Sequence, residues 1–469
     1  MPETPPATPQ GWASLKLLKP YQWFVFVVCC LAWDLDCLDQ RLFVLARVPA
    51  VASLVGQAPG SDQVKFLGGL ATAIFMIGWA VGGLIFGILG DRIGRVKTLT
   101  ATIGLYAMFT GLSALSVGVN DFLLYRFLTG LGVGGAFAAA VVLLAESVPE
   151  VARPYVIGLY QASSVLGNCG AALISLYLSD LQAQGQFPKD GWWAPWRVMF
   201  LIGILPGILL VIVQFTLKEP EKWKASRAAE LAGGKKPTFF GTITAMLTTK
   251  PWGQRALFGL LLTGAGVVGL WGIGFFVGDL VELVMYNTIA AERGIEKSVA
   301  ESNPVIKGEV GRWKGYASLV QNAGAFLGMF SFSWATGIVG RKKAFFVAFV
   351  LGSAMTAFTF LNLKTREDIF WMIPLMGFCQ LAVFGGFAIY LPELFPTRFR
   401  STGTSFCYNA GRLLAAAGPF TLGFLSTGVF KGYGDDAIRY AGATLSVVFL
   451  LGIAALPYLP ETKGQPLPE

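Results

Sequence analysis

Long apolar stretches alternate with short polar segments along the whole chain. A helix that spans a bilayer needs about 20 consecutive, mostly apolar residues, and twelve stretches of roughly that length can be distinguished. They are apolar around the helical circumference rather than on one stripe, which is typical of helices that face lipid. We therefore predict an all-α membrane protein with twelve transmembrane helices, at roughly 22–45, 66–89, 98–118, 122–145, 154–177, 195–216, 256–285, 315–336, 344–362, 369–391, 402–427 and 440–458.

The composition agrees with a membrane protein and excludes several functions. Hydrophobic residues make up 54% of the 469 residues and charged residues 13%, whereas a soluble domain carries about 25% charged residues. The chain has no histidine, and its six cysteines form no CxxC pair, so we expect neither a metal site nor an enzyme. The net charge is +9, but no basic stripe interleaved with aromatic residues indicates a nucleic-acid partner.

The distribution of positive charge predicts which helix ends face the cytoplasm. An even number of spans puts both termini on one side, and the loops and tails of that side carry 20 lysines and arginines against 12 on the other. Cytoplasmic loops hold the excess of positive charge in membrane proteins. We predict that both termini are cytoplasmic, in a plasma or inner membrane, and that residues 287–312 form a long external loop.

The chain divides into two halves that repeat each other. The pattern Glu-x-x-Pro-x-x-x-Arg occurs at 146–153 and again at 393–400, and Gly-Arg occurs at 94–95 and 340–341. A duplication of this kind predicts two six-helix bundles with a substrate site between them, near the middle of the membrane. The predicted parts are a disordered cytoplasmic tail (1–20), an N-terminal bundle (21–217), a cytoplasmic linker (218–255), a C-terminal bundle (256–458) and a cytoplasmic tail (459–469).

Charged residues inside the spans are costly unless they find a partner or an aqueous cavity. Asp36 and Asp39 are three residues apart in the first span, and two neighbouring buried carboxylates raise each other's affinity for a proton; Asp34 and Arg41 lie on nearly the opposite face. Arg126 in the fourth span has a matching predicted depth. One hypothesis is that protonation breaks an Asp39–Arg126 ion pair and couples proton entry to transport. The alternative is a permanent ion pair that only neutralises two buried charges.

The eleventh span carries a second candidate group. We expect Tyr408, Asn409 and Arg412 to share one face of this helix, where they would offer an aromatic ring, an amide and a guanidinium that can bind a carboxylate through two hydrogen bonds. We predict that Arg412 binds an anionic group of the substrate. The alternative is a structural ion pair between Arg412 and Asp34 or Asp36.

Amide side chains near mid-span are further candidates for contacts with a solute. Amides in hydrocarbon need hydrogen-bond partners, which a substrate can supply. Neighbouring helices can supply them equally well, and this alternative stays open. The candidate amides are Gln161 and Asn168, which share a face of the fifth span with Ser164, Asn322 in the eighth span beside Gln321, and Gln380 in the tenth.

Several motifs resemble landmarks of the major facilitator superfamily. The segment G-I-L-G-D-R-I-G-R-V-K at 87–97 is similar to that family's signature loop between the second and third helices. The fourth span reads R-x-x-x-G-x-G at 126–132, and P-E-T-K-G follows the last span at 460–464. Together with the two Glu-x-x-Pro-x-x-x-Arg loops, the resemblance covers nearly the whole chain. It implies the twelve-helix fold and transport by alternating access.

The resemblance also implies a network of opposite charges that closes the cytoplasmic mouth and stabilises the outward-open state. Gly337 stands where the second-half counterpart of Asp91 is expected, so the network should differ between the halves. The residues expected to form this gate are Asp91, Arg95, Glu146, Arg153, Arg341, Glu393 and Arg400.

The resemblance narrows the expected solute. Asp36-x-x-Asp39 is similar to the D-G-[FY]-D of proton symporters of organic acids, with Cys37 and Leu38 in place of the glycine and the aromatic residue. The eleventh span looks like that of aromatic-acid and sialate-type symporters. We expect a monomeric secondary transporter of a small organic acid, driven by the proton gradient without a cofactor. A sugar or polyol porter and a non-transporting sensor remain alternatives, although the Gln-Gln pair of sugar porters is missing from 259–274.

Overall fold

A computed structural model describes residues 9, 11–58, 61–183, 191–232, 238, 241–273, 276–415, 421 and 424–469. Every regular element within these ranges is helical, which confirms the all-α prediction. Each predicted span falls on or begins in a helix. The twelve are α1 (Pro20–Val55), α2 (Asp62–Ile93), α3 (Arg95–Ala114), α4 (Val119–Ser147), α5 (Arg153–Ala183), α6 (Pro195–Ile202 and Pro206–Thr216), α7 (Trp252–Val267 and Val277–Arg293), α8 (Pro304–Val339), α9 (Arg341–Asn362), α10 (Ile369–Leu394), α11 (Arg400–Ala415) and α12 (Ala437–Leu445 and Val448–Ala455).

Eight helices in the described ranges are long and apolar enough to cross a membrane by length and composition alone: α1, α2, α4, α6, the first part of α7, α9, α10 and α12. The other four are more polar or shorter. The helices α5, α8 and α11 carry polar side chains that line a central cavity, and α3 buries a row of threonines and serines. Residues 416–420 and 422–423 of the predicted eleventh span, including Gly418 and Pro419, lie outside the described residues.

The prediction of a long external loop at 287–312 is wrong. The second part of α7 continues to Arg293, a short helix covers Lys297–Ser302, and α8 begins at Pro304. Asn303 caps α8 by accepting hydrogen bonds from the backbone N–H groups of Val305 and Ile306. With 36 residues, α8 is about 54 Å long at 1.5 Å per residue and extends well beyond a hydrocarbon core of about 30 Å.

Small residues bring the equivalent helices of both halves together in the same way. Gly78 of α2 packs on the backbone of α4 at Phe127, and Gly324 of α8 packs on the backbone of α10 at Pro374. A Cβ atom at either glycine would overlap a carbonyl oxygen of the facing helix. Helices in membranes commonly associate through such small-residue contacts. The sequence repeat is therefore a repeat of packing geometry.

The N-termini of α3 and α9 are capped by equivalent glutamates. Glu219 accepts hydrogen bonds from the backbone N–H groups of Arg95, Val96 and Lys97. Glu461 does the same for Arg341 and Lys342. Burial alone would raise the pKa of Glu461, but these backbone hydrogen bonds hold it below the pKa of an ordinary glutamate. Each helix thus begins at a carboxylate that also complements the positive end of its dipole.

Both described terminal segments lie at the same end of the bundles, which we call the terminus side. Residues Gly11–Leu17 form a short 3-10 helix, so part of the tail predicted to be disordered is ordered; residues 1–8 and 10 lie outside the described chain. The Trp12 ring stacks on Phe330 of α8 at 4.4 Å and contacts Tyr155 of α5 at 4.9 Å. At the other terminus, the Pro468 carbonyl accepts a hydrogen bond from Arg400.

Candidate functional site

A cavity of about 220 Å³ lies between the two halves of the chain. Helices α1, α2 and α5 contribute its walls from one half, and α7, α8, α10 and α11 contribute them from the other. Aromatic rings form much of the surface, from Trp33, Trp79, Phe384 and Tyr408. Polar side chains interrupt this apolar lining at a few points, which is the usual character of a small-molecule site.

Five of the predicted substrate residues line this cavity, namely Arg412, Tyr408, Gln161, Asn168 and Asn322. The guanidinium carbon of Arg412 lies 3.5 Å from the centroid of the Trp79 ring and 4.8 Å from that of Tyr408. The Arg412 side chain is 4% exposed, and its Nε has no hydrogen-bond partner. Among the described residues, no carboxylate oxygen lies within 4 Å of the Arg412 guanidinium. Arg412 therefore does not form the direct ion pair with Asp34 or Asp36 that was the alternative interpretation.

The other two predicted substrate residues lie away from the cavity. Asn409 is fully buried, and its amide donates hydrogen bonds to the Gly134 carbonyl and to Ser405 Oγ, at 3.1 and 3.0 Å. One residue of helix is a rotation of about 100°, which turns Asn409 from the side of Tyr408 towards α4. Gln380 is buried inside its own half, where it donates to Thr356 Oγ1 at 2.8 Å. For these two amides the alternative interpretation holds: their hydrogen bonds join helices of the protein and do not face the cavity.

One charged residue of the cavity was not assigned a role from the sequence. Arg41 of α1 lines the cavity, and its Nη2 donates a hydrogen bond to Ser318 Oγ of α8 at 3.0 Å. The signal was present in the spacing of Trp33, Cys37 and Arg41, which recur every four residues and share one face of α1. The helical periodicity puts Arg41 on the face of α1 opposite Asp36 and Asp39. It does not reveal which neighbouring helix packs against that face.

Asp36 and Asp39 are both fully buried in the N-terminal half. Gln40 donates a hydrogen bond to Asp36 Oδ2 at 3.1 Å, whereas Asp36 Oδ1 and both oxygens of Asp39 have no partner. Charges from different arginines act on the two carboxylates: Arg412 on Asp36 and Arg126 on Asp39. A buried carboxylate oxygen without a hydrogen bond is costly, and protonation removes that cost.

Arg126 does not form the predicted direct ion pair with Asp39, because no N···O distance between these two described residues is within 4 Å. Its guanidinium instead donates to Ser113 Oγ, at 3.0 Å from Nε, and to Thr129 Oγ1, also at 3.0 Å. The rings of Phe43, Phe122 and Phe200 surround it, with the nearest centroid, that of Phe200, at 4.7 Å. Matching depths along two helices did not determine the lateral distance between the charges.

Four of the predicted gate residues form one network that crosses between the halves on the terminus side. Arg95 binds Glu146 through two hydrogen bonds of 3.1 Å and lies 3.3 Å from Asp91. Arg400, from the other half, also binds Glu146, at 2.5 Å. Asp91 accepts hydrogen bonds from the backbone N–H groups of Ser401 and Thr402, at 3.0 and 2.8 Å, where the positive dipole of α11 favours an anion.

The equivalent network of the second half stays within that half. Arg341 binds Glu393 at 2.9 and 3.1 Å, and Thr462 of the C-terminal segment donates to the same carboxylate. Arg153 donates to the Ala145 carbonyl, and in the described chain it lies beyond 4 Å from Glu393. The structure therefore has the asymmetry expected from Gly337. Asp91, Arg95, Glu146 and Arg400 therefore connect the two halves at this side, whereas Arg341 and Glu393 do not.

Known proteins resemble this chain over nearly its full length. The family model described as "Sugar (and other) transporter" matches residues 49–236. A putative metabolite transport protein of Haemophilus influenzae is 27% identical, covering 96% of this chain and 99% of its own. The cis,cis-muconate transport protein of Acinetobacter baylyi is 28% identical over 84% of this chain and 86% of its own. Over nearly its full length, the chain is similar to transporters of the major facilitator superfamily.

Solved structures of the superfamily share the fold. The proton:xylose symporter XylE aligns with a TM-score of 0.70 at 16% identity, covering 95% of this chain and 98% of that one. The human organic anion transporter MFSD10 aligns with a TM-score of 0.64 at 14% identity, over 93% and 100%. These likenesses confirm the predicted twelve-helix architecture. The matched family model and the relatives reported above are those of transporters and not of enzymes.

Proposed function

We propose that the protein transports a small organic carboxylate across the cytoplasmic membrane by alternating access coupled to protons. The observation that carries this proposal is the buried Arg412 guanidinium, which faces the cavity between two aromatic rings without a carboxylate within 4 Å in the described chain. A carboxylate substrate would supply the missing charge and two hydrogen bonds. Trp79 and Tyr408 would then pack on the flat faces of a conjugated or aromatic acid.

The names of relatives support the same class of solute. The muconate relative transports a dicarboxylate by its name, and the 4-hydroxybenzoate transporter PcaK of Pseudomonas aeruginosa, 25% identical over 87% of each chain, is named for an aromatic acid. The sugar-porter alternative is weaker. A neutral sugar would leave Arg412 buried without a counter-charge, and the likeness to the xylose symporter extends only to the fold.

Uptake into proteoliposomes tests the function directly. Purified protein should accumulate radiolabelled benzoate or 4-hydroxybenzoate when the outside is made acidic, and the corresponding neutral amides and xylose should neither be taken up nor compete. Protein-free liposomes provide the background. Uptake of xylose but of no carboxylate would favour the sugar porter, whereas binding of a carboxylate without flux of any solute would favour the sensor.

Proton coupling is assigned to Asp36 and Asp39, with Arg126 holding the second carboxylate in its field. In this mechanism the carboxylates take up protons from the cavity side, lose their attraction to the arginines, and release those protons after the bundles reorient. The proton gradient is then the driving force, and no cofactor is required. One chain supplies both sides of the cavity, so a monomer is the transporting unit.

Asp36→Asn and Asp39→Asn should each abolish accumulation driven by a pH gradient and leave downhill exchange of substrate intact, because an amide mimics the permanently protonated acid. The measurement is uptake with and without the gradient, beside counterflow between preloaded vesicles. Asp34→Asn is the matched control on the same helix and should still concentrate substrate. Accumulation by both the Asp36 and the Asp39 variants would move the coupling site elsewhere.

The orientation that we propose puts both termini, and the linker 218–255 between the bundles 21–217 and 256–458, in the cytoplasm. The excess of positive charge on that side supports it. Lys224→Cys, on the exposed linker helix Glu221–Ala232, should resist a membrane-impermeant thiol reagent in intact cells. Lys307→Cys, near the end of α8 that lies away from the terminus side, should react quickly with the same reagent. The reverse pattern of labelling would invert the topology.

A further inference from the structure

Arg41 gives the cavity a second guanidinium, from the half of the chain that does not contain Arg412. Arg41 belongs to α1 in the first half and Arg412 to α11 in the second. Both also line an adjoining cavity of about 80 Å³, together with Gln40 and Trp79. The two cavities therefore share the space between the two arginines, and a solute in that space would contact both bundles.

The Arg41 charge has no counter-ion in the described chain. Its Nη2 donates a hydrogen bond to a neutral hydroxyl, that of Ser318, at 3.0 Å, and within the described residues no carboxylate oxygen lies within 4 Å. Arg95, Arg341 and Arg400 on the terminus side differ in this respect, because all three bind glutamates. A guanidinium has five N–H donors, so one hydroxyl leaves most of them available.

The described lining of both cavities contains two arginines and not a single aspartate or glutamate. The nearby carboxylate of Asp36 is buried behind this surface, where it accepts a hydrogen bond from Gln40 and experiences the charge of Arg412. It can offset at most one of the two cations. A substrate with a single carboxylate would therefore leave Arg41 uncompensated.

We propose that Arg41 binds a second anionic group, so that the preferred substrates are dicarboxylates held between the bundles, with one carboxylate on Arg412 and the other on Arg41. This inference rests on the proposed function, because it presupposes that the cavity binds carboxylates. It makes Arg41 the residue that distinguishes dicarboxylates from monocarboxylates. It also gives the substrate a direct part in drawing α1 towards α11, because each end binds a different bundle.

Isosteric ligand pairs test the proposal. Terephthalate and isophthalate are compared with 4-carbamoylbenzoate and 3-carbamoylbenzoate, which replace one carboxylate by a neutral amide of the same shape, and with benzoate and cis,cis-muconate. Binding is measured by competition against labelled benzoate in proteoliposomes. At least one dicarboxylate should bind about tenfold or more tightly than its monoamide, as expected for an additional charge-assisted contact.

Arg41→Gln should remove this advantage, so that a dicarboxylate and its monoamide bind about equally well. Arg41→Lys, which keeps the charge, should retain part of it and shows that the loss is not a failure to fold. Ser318→Ala removes the hydroxyl partner but not the charge, so it should preserve the ratio of dicarboxylate to monoamide affinity. If Ser318→Ala lowers that ratio as much as Arg41→Gln does, Arg41 acts through its contact between the bundles and the proposal is wrong.

Binding of benzoate and of the dicarboxylates distinguishes an error about Arg41 from an error about the proposed function. If benzoate binds in an Arg412-dependent manner but no dicarboxylate exceeds its monoamide, the function stands and the role of Arg41 is refuted. If no carboxylate binds or competes at all, the proposed function itself is refuted.

Discussion

Replacing Arg412 by lysine should weaken carboxylate binding by about 100-fold, because the ammonium keeps the charge but cannot form two parallel hydrogen bonds to a carboxylate. Charge-assisted hydrogen bonds contribute about 1.5–3 kcal/mol each, and the lysine would also lose the planar stack on Trp79 that lies at 3.5 Å. Arg412→Ala should abolish measurable binding. The measurement is a titration of labelled benzoate or its competitors on purified protein.

Thermal unfolding provides the control for Arg412. The guanidinium lacks an ion-pair partner within 4 Å in the described chain, so Arg412→Ala should unfold at nearly the wild-type temperature despite its loss of binding. The competing explanation is that Arg412 stabilises the fold by neutralising Asp36, whose charge it influences. That explanation predicts a destabilised Arg412→Ala protein that regains stability in the Asp36→Ala background. Such a rescue, with binding unaffected, would contradict the substrate role.

Glu146→Gln should open the terminus side of the transporter. This carboxylate binds Arg95 and Arg400 at once, and all three side chains are fully buried. Removing the charge of one member leaves buried cations uncompensated, which costs about 3–5 kcal/mol. In a conformation where the halves part at this end, water can solvate both arginines. The substitution therefore penalises the closed conformation selectively, and the inward-open population should become dominant.

Spin labels at Glu150 and Arg398, two exposed positions in the equivalent loops of the two halves, should report a longer distance in Glu146→Gln than in the wild type. Glu393→Gln is the matched control, since Glu393 occupies the equivalent position but binds Arg341 within its own half. It should lower thermal stability without lengthening that distance. Equal distances in wild type and Glu146→Gln would show that Glu146 does not hold this end closed.

The fold was predictable because its main determinants are periodic. Runs of apolar residues mark the spans, and the repeated Gly-Arg and Glu-x-x-Pro-x-x-x-Arg motifs mark the duplication, which the paired glycines Gly78 and Gly324 express as equivalent contacts. The region 287–312 was mistaken for a loop because its helices are polar, with four glutamates, two lysines and two arginines among 26 residues. Such residues favour helix without giving any hydropathy signal.

The residues of the site were predictable only where the helical periodicity shows which side chains share a face of one helix. Phase groups Gln161 with Asn168 and Tyr408 with Arg412, and these residues do line the cavity. It does not identify the helix that each face meets, so Gln380 and Asn409 were assigned to the substrate although they hydrogen-bond within the protein. For the same reason Arg41 was overlooked, and Arg126 was paired with Asp39 on depth alone.

The stacked ring of Trp12 lies outside all twelve spans, yet it contacts Tyr155 of one half and Phe330 of the other. Whenever the halves separate at the terminus side, the indole must leave at least one of these rings, and it must return before the next turnover. The segment before α1 must therefore rearrange each time the transporter changes conformation. An affinity tag or fluorescent protein fused before residue 11 is attached directly to this moving segment. Turnover numbers obtained with such a fusion would therefore reflect the fusion as well as the transporter.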